Sequence, residues 1–321
     1  MAQQNSNLYR FEKIIVLYNP ASTNSKRSRS RINDLRELFP AKDIEVVETS
    51  PDGEAANKKI ISSIAKDFDS TTLICLASGD GTVSIFLDSL LMDESIAAKA
   101  REVTVLPLWG GNANDLAHMV NGYSVFTSTK KIFEKSRIMP IYPIKIKMQN
   151  NGITRHKTAA CYASFGVSAF AGMNMETLIK RNRKIFLLPG SRRLAELLVA
   201  LYSIFKTKPY RAEINGVQRR GIYEHVFVNG SRWATVERMP VNLKDQEFFE
   251  VILDKKPEII LTIIKVLRNR NYGQIVKGSV SFTTKSRVLA QFDGEIEMIE
   301  PNTQVTAILS KKPFYVLTIK L

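Results

Sequence analysis

The apolar and polar positions divide the chain into two textures. From residue 13 to about 137, short apolar runs alternate with stretches whose apolar residues recur every three or four positions. Residues 13–18, 44–48, 73–77 and 103–107 read as strands. Helices are expected up to about residue 39, from about 51 to 68, and over 83–91. The second helix has one apolar face, Ala56, Ile60, Ile61, Ile64, Ala65 and Phe68. Ser50-Pro51-Asp52 predicts its start, with a serine cap and proline in the first turn. Strands separated by helices of this length form βαβ units and a mostly parallel sheet.

From about residue 138 the period shortens. Alternating runs at 144–148, 158–165, 225–229, 249–253, 279–283 and 305–309 are separated by turn formers such as Asn150-Asn151-Gly152 and Asn215-Gly216. This predicts an antiparallel sheet or sandwich. One helical stretch interrupts it: Leu194, Leu197, Leu198, Leu201, Ile204 and Phe205 form a stripe flanked by Arg192, Arg193, Lys206 and Lys208. The fold class read here is an α/β N-terminal domain followed by an antiparallel β-sandwich domain.

Composition adds limits. At 321 residues and 44% hydrophobic content, the chain can build two cored domains. Cys75 and Cys161 both lie in apolar runs, which predicts buried thiols in a reducing compartment, and no Cys/His spacing suits zinc. Residues 1–9 are polar and no apolar run approaches a membrane span, so a cytoplasmic location is expected. The net charge of +15 changes the picture more, because it calls for an anionic partner. Lys180, Arg181, Arg183, Lys184, Arg192, Arg193, Lys206, Lys208, Arg211, Arg219 and Arg220 face only Glu196 and Glu213 in the same stretch. A second cluster, Lys26, Arg27, Arg29 and Arg31, follows the first strand. Neither has the interleaved aromatics that stack nucleobases, so no nucleic acid is expected.

Candidate chemistry gathers at strand ends. Ser78-Gly79-Asp80-Gly81-Thr82 joins a buried strand to a helix, a turn that offers backbone N–H groups and a positive helix end to a phosphate. Its glycines are expected to permit a sharp turn and close approach of a ligand. Asn19-Pro20-Ala21-Ser22-Thr23 is a second small, hydroxyl-rich turn, and Gly110-Gly111-Asn112-Ala113-Asn114-Asp115 a third. Asp245 precedes the strand at 249–253. Asp293-Gly294-Glu295 sits between apolar residues, where Asp-Gly also reads as an ordinary hairpin turn. There is no Walker segment and no complete Gly-x-Gly-x-x-Gly, since Ser84 occupies the third glycine position.

Taken in order, Asn19-Pro20, Ser78 to Thr82, Gly111 with Asn114-Asp115, Asp245 and Asp293-Gly294-Glu295 resemble the diacylglycerol kinase catalytic-domain family. That family includes bacterial lipid kinases and sphingosine and ceramide kinases, with NAD kinases as distant relatives. The resemblance implies an ATP- and Mg²⁺-dependent lipid kinase with an ATP-binding domain over residues 1–138, rejoined by 313–321, and a lipid-substrate domain over 139–312. By this likeness Asn19, Pro20, Ala21, Ser22, Thr23, Thr49, Ser78, Gly79, Asp80, Gly81, Thr82, Val83 and Ser84 would line the nucleotide. Gly111, Asn112, Asn114 and Asp115 would join them, with Asn112 where the family has threonine. Glu295 would act as base on the lipid hydroxyl, supported by Asp293 and Asp80. Asp245, with backbone oxygens around Asn242 and Glu247, would hold a structural Mg²⁺. The chain departs from the family at Ser78, Ser84 and Ile85, and has Tyr142 where bacterial relatives carry an acid.

Two other readings share these residues: a decayed kinase fold that binds anionic membranes or nucleic acid, and an NAD-kinase-like enzyme. The expected partners are ATP, a lipid at the inner face of an anionic membrane, reached through basic residues 180–193 around 185–188, and a second copy of the chain.

Overall fold

The computed structural model describes residues 10–22, 25–92, 96, 99, 102–110, 114–121, 129, 132–133, 136–181, 191–229, 247–267 and 273–319. It divides into two compact units, Met1–Pro143 with Ser310–Leu321, and Ile144–Leu309.

In the first unit, β1 (Lys13–Tyr18), β2 (Asp43–Glu48), β3 (Thr72–Ser78) and β4 (Thr104–Trp109) pair in parallel. The chain's last strand, β18 (Phe314–Thr318), runs parallel to β4 and antiparallel to β5 (Arg137–Ile141), so the sheet order is β2-β1-β3-β4-β18-β5. Helices α1 (Ser25–Leu38), α2 (Glu54–Ile64), α3 (Asp80–Met92) and α4 (Asp115–Asn121) connect or follow the strands. Every residue of β3 is buried, as a parallel strand covered on both faces requires. One face, Ile14, Val16, Leu73, Cys75, Leu106 and Leu108, packs with Ile32 and Leu35 of α1 and with the edge-on pair Phe39 and Phe133. Cys75 is buried and free, and burial pushes its thiol well above the ordinary range.

The start of α2 differs from the expectation. Its cap is Gly53, at φ 94°, not Ser50, and Pro51 lies outside the helix. The cap has no side-chain hydrogen bond; buried Asn57 instead ties down the chain entering the helix, its amide donating to the carbonyls of Ser50 and Gly53 at 3.0 and 2.8 Å and its oxygen accepting the Ser50 N–H at 2.8 Å. Ser50 and Asp52 bond one another instead, in the turn ahead of it.

The second unit has two antiparallel sheets. One has order β10-β9-β14-β17-β6-β7, using β6 (Ile144–Asn150), β7 (Ile153–Ala159), β9 (Tyr210–Ile214), β10 (Val217–Ile222), β14 (Ser279–Thr284) and β17 (Gln304–Leu309). The other has order β13-β12-β11-β8-β15-β16, using β8 (Tyr162–Gly166), β11 (Glu224–Val228), β12 (Glu247–Leu253), β13 (Gln274–Lys277), β15 (Val288–Phe292) and β16 (Glu295–Ile299). Phe282 of the first sheet packs against Phe165, His225 and Phe227 of the second, 4.7–6.3 Å between centroids. This sandwich core also takes in a buried polar pair, His225 Nε2 2.7 Å from Glu250 Oε1.

The hairpin signals are met at Asn151-Gly152 and Asn215-Gly216. Both residues of each pair have positive φ, the backbone that a two-residue primed turn demands. Two expectations are corrected. The apolar run 158–165 is two strands, because the chain crosses from one sheet to the other at Ala160-Cys161. Among the described residues three helices, not one, interrupt the strands: α5 (Val167–Arg181), α6 (Ser191–Lys206) and α7 (Lys256–Leu267).

Candidate active site

In the first unit, register levels the carboxyl ends of four strands. Tyr18 pairs with Glu48 and Ala77, and Ser78 with Trp109. Asn19, Thr49, Gly79 and Gly110 therefore emerge along one edge, where open parallel sheets bind ligands. Thr49 is buried and its N–H donates to Tyr18 O at 2.8 Å, closing that edge at β2.

Asp80 ties the loops after β3 and β4. It opens α3, and its two carboxylate oxygens accept the N–H groups of Asn114 and Asp115 at 2.8 and 2.7 Å, where α4 begins. A carboxylate against a helix N-terminus is favoured by the helix dipole. This answers why an acid stands in a turn otherwise suited to phosphate. Asn114, at φ 53°, returns its side-chain oxygen to Gly110 N–H at 3.0 Å. Gly110 is the close approach: a Cβ there would lie 2.5 Å from Ser28 Oγ and 2.7 Å from Ser78 N. Gly79 and Gly81 do not have the strained backbone that a sharp glycine turn predicts. Gly81 is helical, and a Cβ on it would meet nothing within 4 Å. Its lack of a side chain leaves open space at the positive end of α3.

Asn19 reaches the same helix, its amide donating to Thr82 Oγ1 at 3.3 Å while its oxygen accepts Ala21 N–H at 2.9 Å. Pro20 and Ala21 are exposed and Ser22 is half-buried, so this turn lies at the surface beside the start of α1. Val83 and Ser84 turn inward and are buried, away from the open rim. Part of the basic cluster has partners within the unit. Arg29 donates to Tyr18 Oη at 3.0 Å, and Arg31 pairs with Asp34 at 3.4 Å. Thr23, Gly111 and Asn112 lie outside the described residues.

In the second unit, Asp293-Gly294 is the two-residue turn of the β15–β16 hairpin, with φ 45° and 95°. The hairpin reading of Asp-Gly therefore holds alongside any chemical one. Asp293 is buried, and its carboxylate accepts three successive backbone N–H groups, Ala160, Cys161 and Tyr162, the latter two at 3.0 and 2.9 Å. It fixes the crossover between the sheets. Asn229 adds to this, donating to Ala160 O at 2.9 Å and, from its backbone, to Cys161 O at 2.7 Å.

Glu295 begins β16 next to this anchored turn and remains part-exposed. Its Oε1 is 2.7 Å from Lys157 Nζ, and Lys157 is nearly buried. Nothing in the alternation of β7 distinguishes Lys157 from its neighbours, so the sequence alone does not single it out. Glu295 is thus a carboxylate steadied by a cation on one oxygen, on a rigid hairpin. Asp245 and Asn242 lie outside the described residues. Glu247 opens β12, buried, with its carboxylate 3.4 Å from Lys277. Among the described residues no group of three His, Cys, Asp or Glu side chains stands ready to hold a metal.

Residues 13–142 match the family described as the diacylglycerol kinase catalytic domain, which spans the first unit's sheet up to β5. Comparison with curated proteins gives no match. Three solved structures from Bacillus anthracis str. Sterne share the fold over nearly the whole chain. One, titled a diacylglycerol kinase, is 16% identical, with a TM-score of 0.61 over 96% of this chain and 97% of its own. Two titled putative diacylglycerol kinases are 17% and 18% identical, with TM-scores of 0.62 and 0.64. They cover 96% and 95% of this chain, and 97% and 96% of their own. Residues 13–142 are thus similar to the diacylglycerol kinase catalytic domain, within a two-unit α/β and β-sandwich fold that these solved structures share.

Proposed function

We propose that the protein is a lipid kinase that moves the terminal phosphoryl group of ATP to a hydroxyl of a diacylglycerol-like lipid. The observation that carries this reading is the Asp80 bridge. It joins the loops after β3 and β4 into one polar rim at the end of a parallel sheet, beside the open space at Gly81. Such a rim offers fixed N–H groups and a positive helix end to phosphates, the preorganised electrostatics on which phosphoryl transfer depends. Asp80 acts through position, holding α4 rather than touching the transferring group.

In the second unit Glu295 is assigned the base. The lipid oxygen attacks the γ-phosphorus, the bond to the β-phosphate oxygen breaks, the hydroxyl proton passes to Glu295, and ADP leaves. Lys157 keeps the carboxylate oriented, and Asp293 keeps the hairpin that presents it in one conformation. ATP would bind as its Mg²⁺ complex, and the structural Mg²⁺ expected at Asp245, Asn242 and Glu247 would be a separate ion with no part in the proton step.

The test is direct. Purified protein with labelled ATP and Mg²⁺ is offered vesicles containing diacylglycerol, NAD, or neither. Label recovered in the lipid supports the reading. Label in NAD would replace it with a soluble nucleotide kinase, and no transfer to either would mark a binding protein on a kinase fold.

A further inference from the structure

The helix α6 is built inside out. Its apolar stripe, Leu194, Leu197, Leu198, Leu201, Tyr202 and Phe205, recurs at helical spacing and is 37–64% exposed throughout. The opposite side is the one that packs: Ser203 and Ile204 are buried, and Asn174 of α5 reaches Ser203 Oγ at 3.5 Å. An amphipathic helix on a water-soluble body normally turns its apolar face to the core. Here the larger part of the apolar side chains stays outside, with only Ser203 and Ile204 fully packed among the described residues. Exposed Ile260 and Leu261 of α7 extend the surface, and Lys256 of α7 fastens the two helices by donating to Phe205 O at 2.7 Å. An apolar patch of this extent marks a docking face.

The charges around it choose the occupant. Lys206 and Lys208 close the helix, Lys255 stands exposed at the start of α7, and Arg181 is exposed at the end of α5. The sequence adds Arg192 and Arg193 in the first turn of α6. Of the nearby acids, Glu196 is only part-exposed, and Glu258 accepts the N–H groups of Asp254 and Lys255 at the start of its own helix. A second copy placed on this face would bring lysine against lysine around an apolar centre. An anionic bilayer would neutralise the same ring while its acyl boundary took the leucines. No helix among the described residues is long and apolar enough to cross a membrane, so α6 would lie in the interface plane.

We infer that the outward face of α6, extended by Ile260 and Leu261, is the surface by which this protein docks on an anionic lipid bilayer. The inference deepens the lipid-kinase reading and rests on it for its purpose, since a lipid substrate must be reached where it resides. It uses residues C-terminal to the 182–190 segment, which lies outside the described residues together with the docking role expected there for 185–188.

The experiment uses the whole chain and the triple variant Leu197→Gln, Leu198→Gln, Leu201→Gln, whose side chains are exposed, so the fold should be unaffected. Vesicles are phosphatidylcholine alone or mixed with phosphatidylglycerol. The wild type should pellet with the anionic vesicles, be released by high salt, and pellet poorly with the neutral ones. The variant, with an unchanged melting profile, should lose at least tenfold in partitioning. It should phosphorylate long-chain diacylglycerol in vesicles correspondingly less, yet a water-soluble short-chain analogue at the wild-type rate. Equal pelleting of both proteins would overturn the inference. So would a lipid-free dimer of the wild type that the variant converts to monomer, because a second copy would then cover the face. Wild type that pellets but phosphorylates neither lipid would sink the kinase reading and leave the docking surface standing.

Discussion

Asp80 sits in the first turn of a helix at the end of a parallel sheet, whereas Asp293 sits at the tip of an antiparallel hairpin. Both spend their carboxylates on backbone N–H groups far away in the chain: Asp80 on two that begin α4, Asp293 on three at the crossover from β7 to β8. Asp80 joins two loops and leaves space beside it, since nothing lies within 4 Å of a Cβ on Gly81. Asp293 is buried and closes its region completely. The difference teaches that an acid next to glycine need not be the reacting group. In each unit it holds the frame, and the chemistry is assigned to what the frame presents.

Separating frame from chemistry gives the largest expected effect. Glu295→Gln should lower turnover by about 10²–10⁴-fold, the usual worth of a positioned base, with nucleotide affinity and melting profile kept. Near-normal turnover by this variant would remove Glu295 from the proton step.

A third acid extends the comparison to helix starts. Glu224 accepts the Ser168 N–H at the start of α5 at 2.8 Å, yet its other oxygen has no hydrogen-bond partner among the described residues. Burial, only partly offset by hydrogen bonds from Ser168 and Val167, pushes its carboxyl from 4.5 to about 8. Because the folded value is the higher one, the stabilising protonation is fully present below about 4.5 and is lost as pH rises to about 8. At 1.36 kcal/mol per unit this is at most roughly 4–5 kcal/mol. Denaturant unfolding at pH 5 and pH 8 should show the loss, and Glu224→Gln should flatten it. A wild-type profile that rises over this interval would show that Glu224 is not held neutral.

Asp293→Ala would strand three backbone N–H groups, all on buried residues at the crossover. It should cost about 3 kcal/mol in unfolding free energy, whatever happens to activity. A loss under about 1 kcal/mol would mean that the turn is held by the hairpin alone.

The glycines sharpen the contrast at smaller scale. Gly110→Ala puts a methyl group 2.7 Å from Ser78 N and should cost roughly 1–3 kcal/mol. Gly81→Ala meets open space inside a helix and should leave stability equal or raised by up to about 1 kcal/mol, while ATP affinity measured by calorimetry falls. Unchanged affinity would move the phosphates away from the start of α3.

Much of this was legible in the chain. The parallel unit follows from apolar runs separated by helical spacing, and the Asn-Gly and Asp-Gly turns declare their hairpins by the positive φ they alone tolerate well. What stayed hidden depends on partners distant in sequence. The break between β7 and β8 is invisible in Ala159-Ala160-Cys161-Tyr162, because the carboxylate that bends it comes from residue 293. Lys157 looks like any strand lysine until the fold brings Glu295 to it. The start of α2 misled because Ser50 bonds Asp52 in the turn ahead, and Gly53, at positive φ, takes the cap position. In α6 the period was plain, but periodicity cannot say which side faces the core.

The place of β18 has a consequence for biosynthesis. It lies between β4 and β5 in the first sheet and is β5's only pairing partner among the described residues, yet it follows every described strand of the second unit in the chain. As the polypeptide leaves the ribosome, the sandwich's strands are all available before the first unit can close its sheet. A nascent or clipped chain stopping before residue 314 would leave the backbone of β4 and β5 unpaired, an adhesive edge of the kind that chaperones and proteases detect. Synthesis through residue 318 is thus the step that makes the first unit's sheet whole.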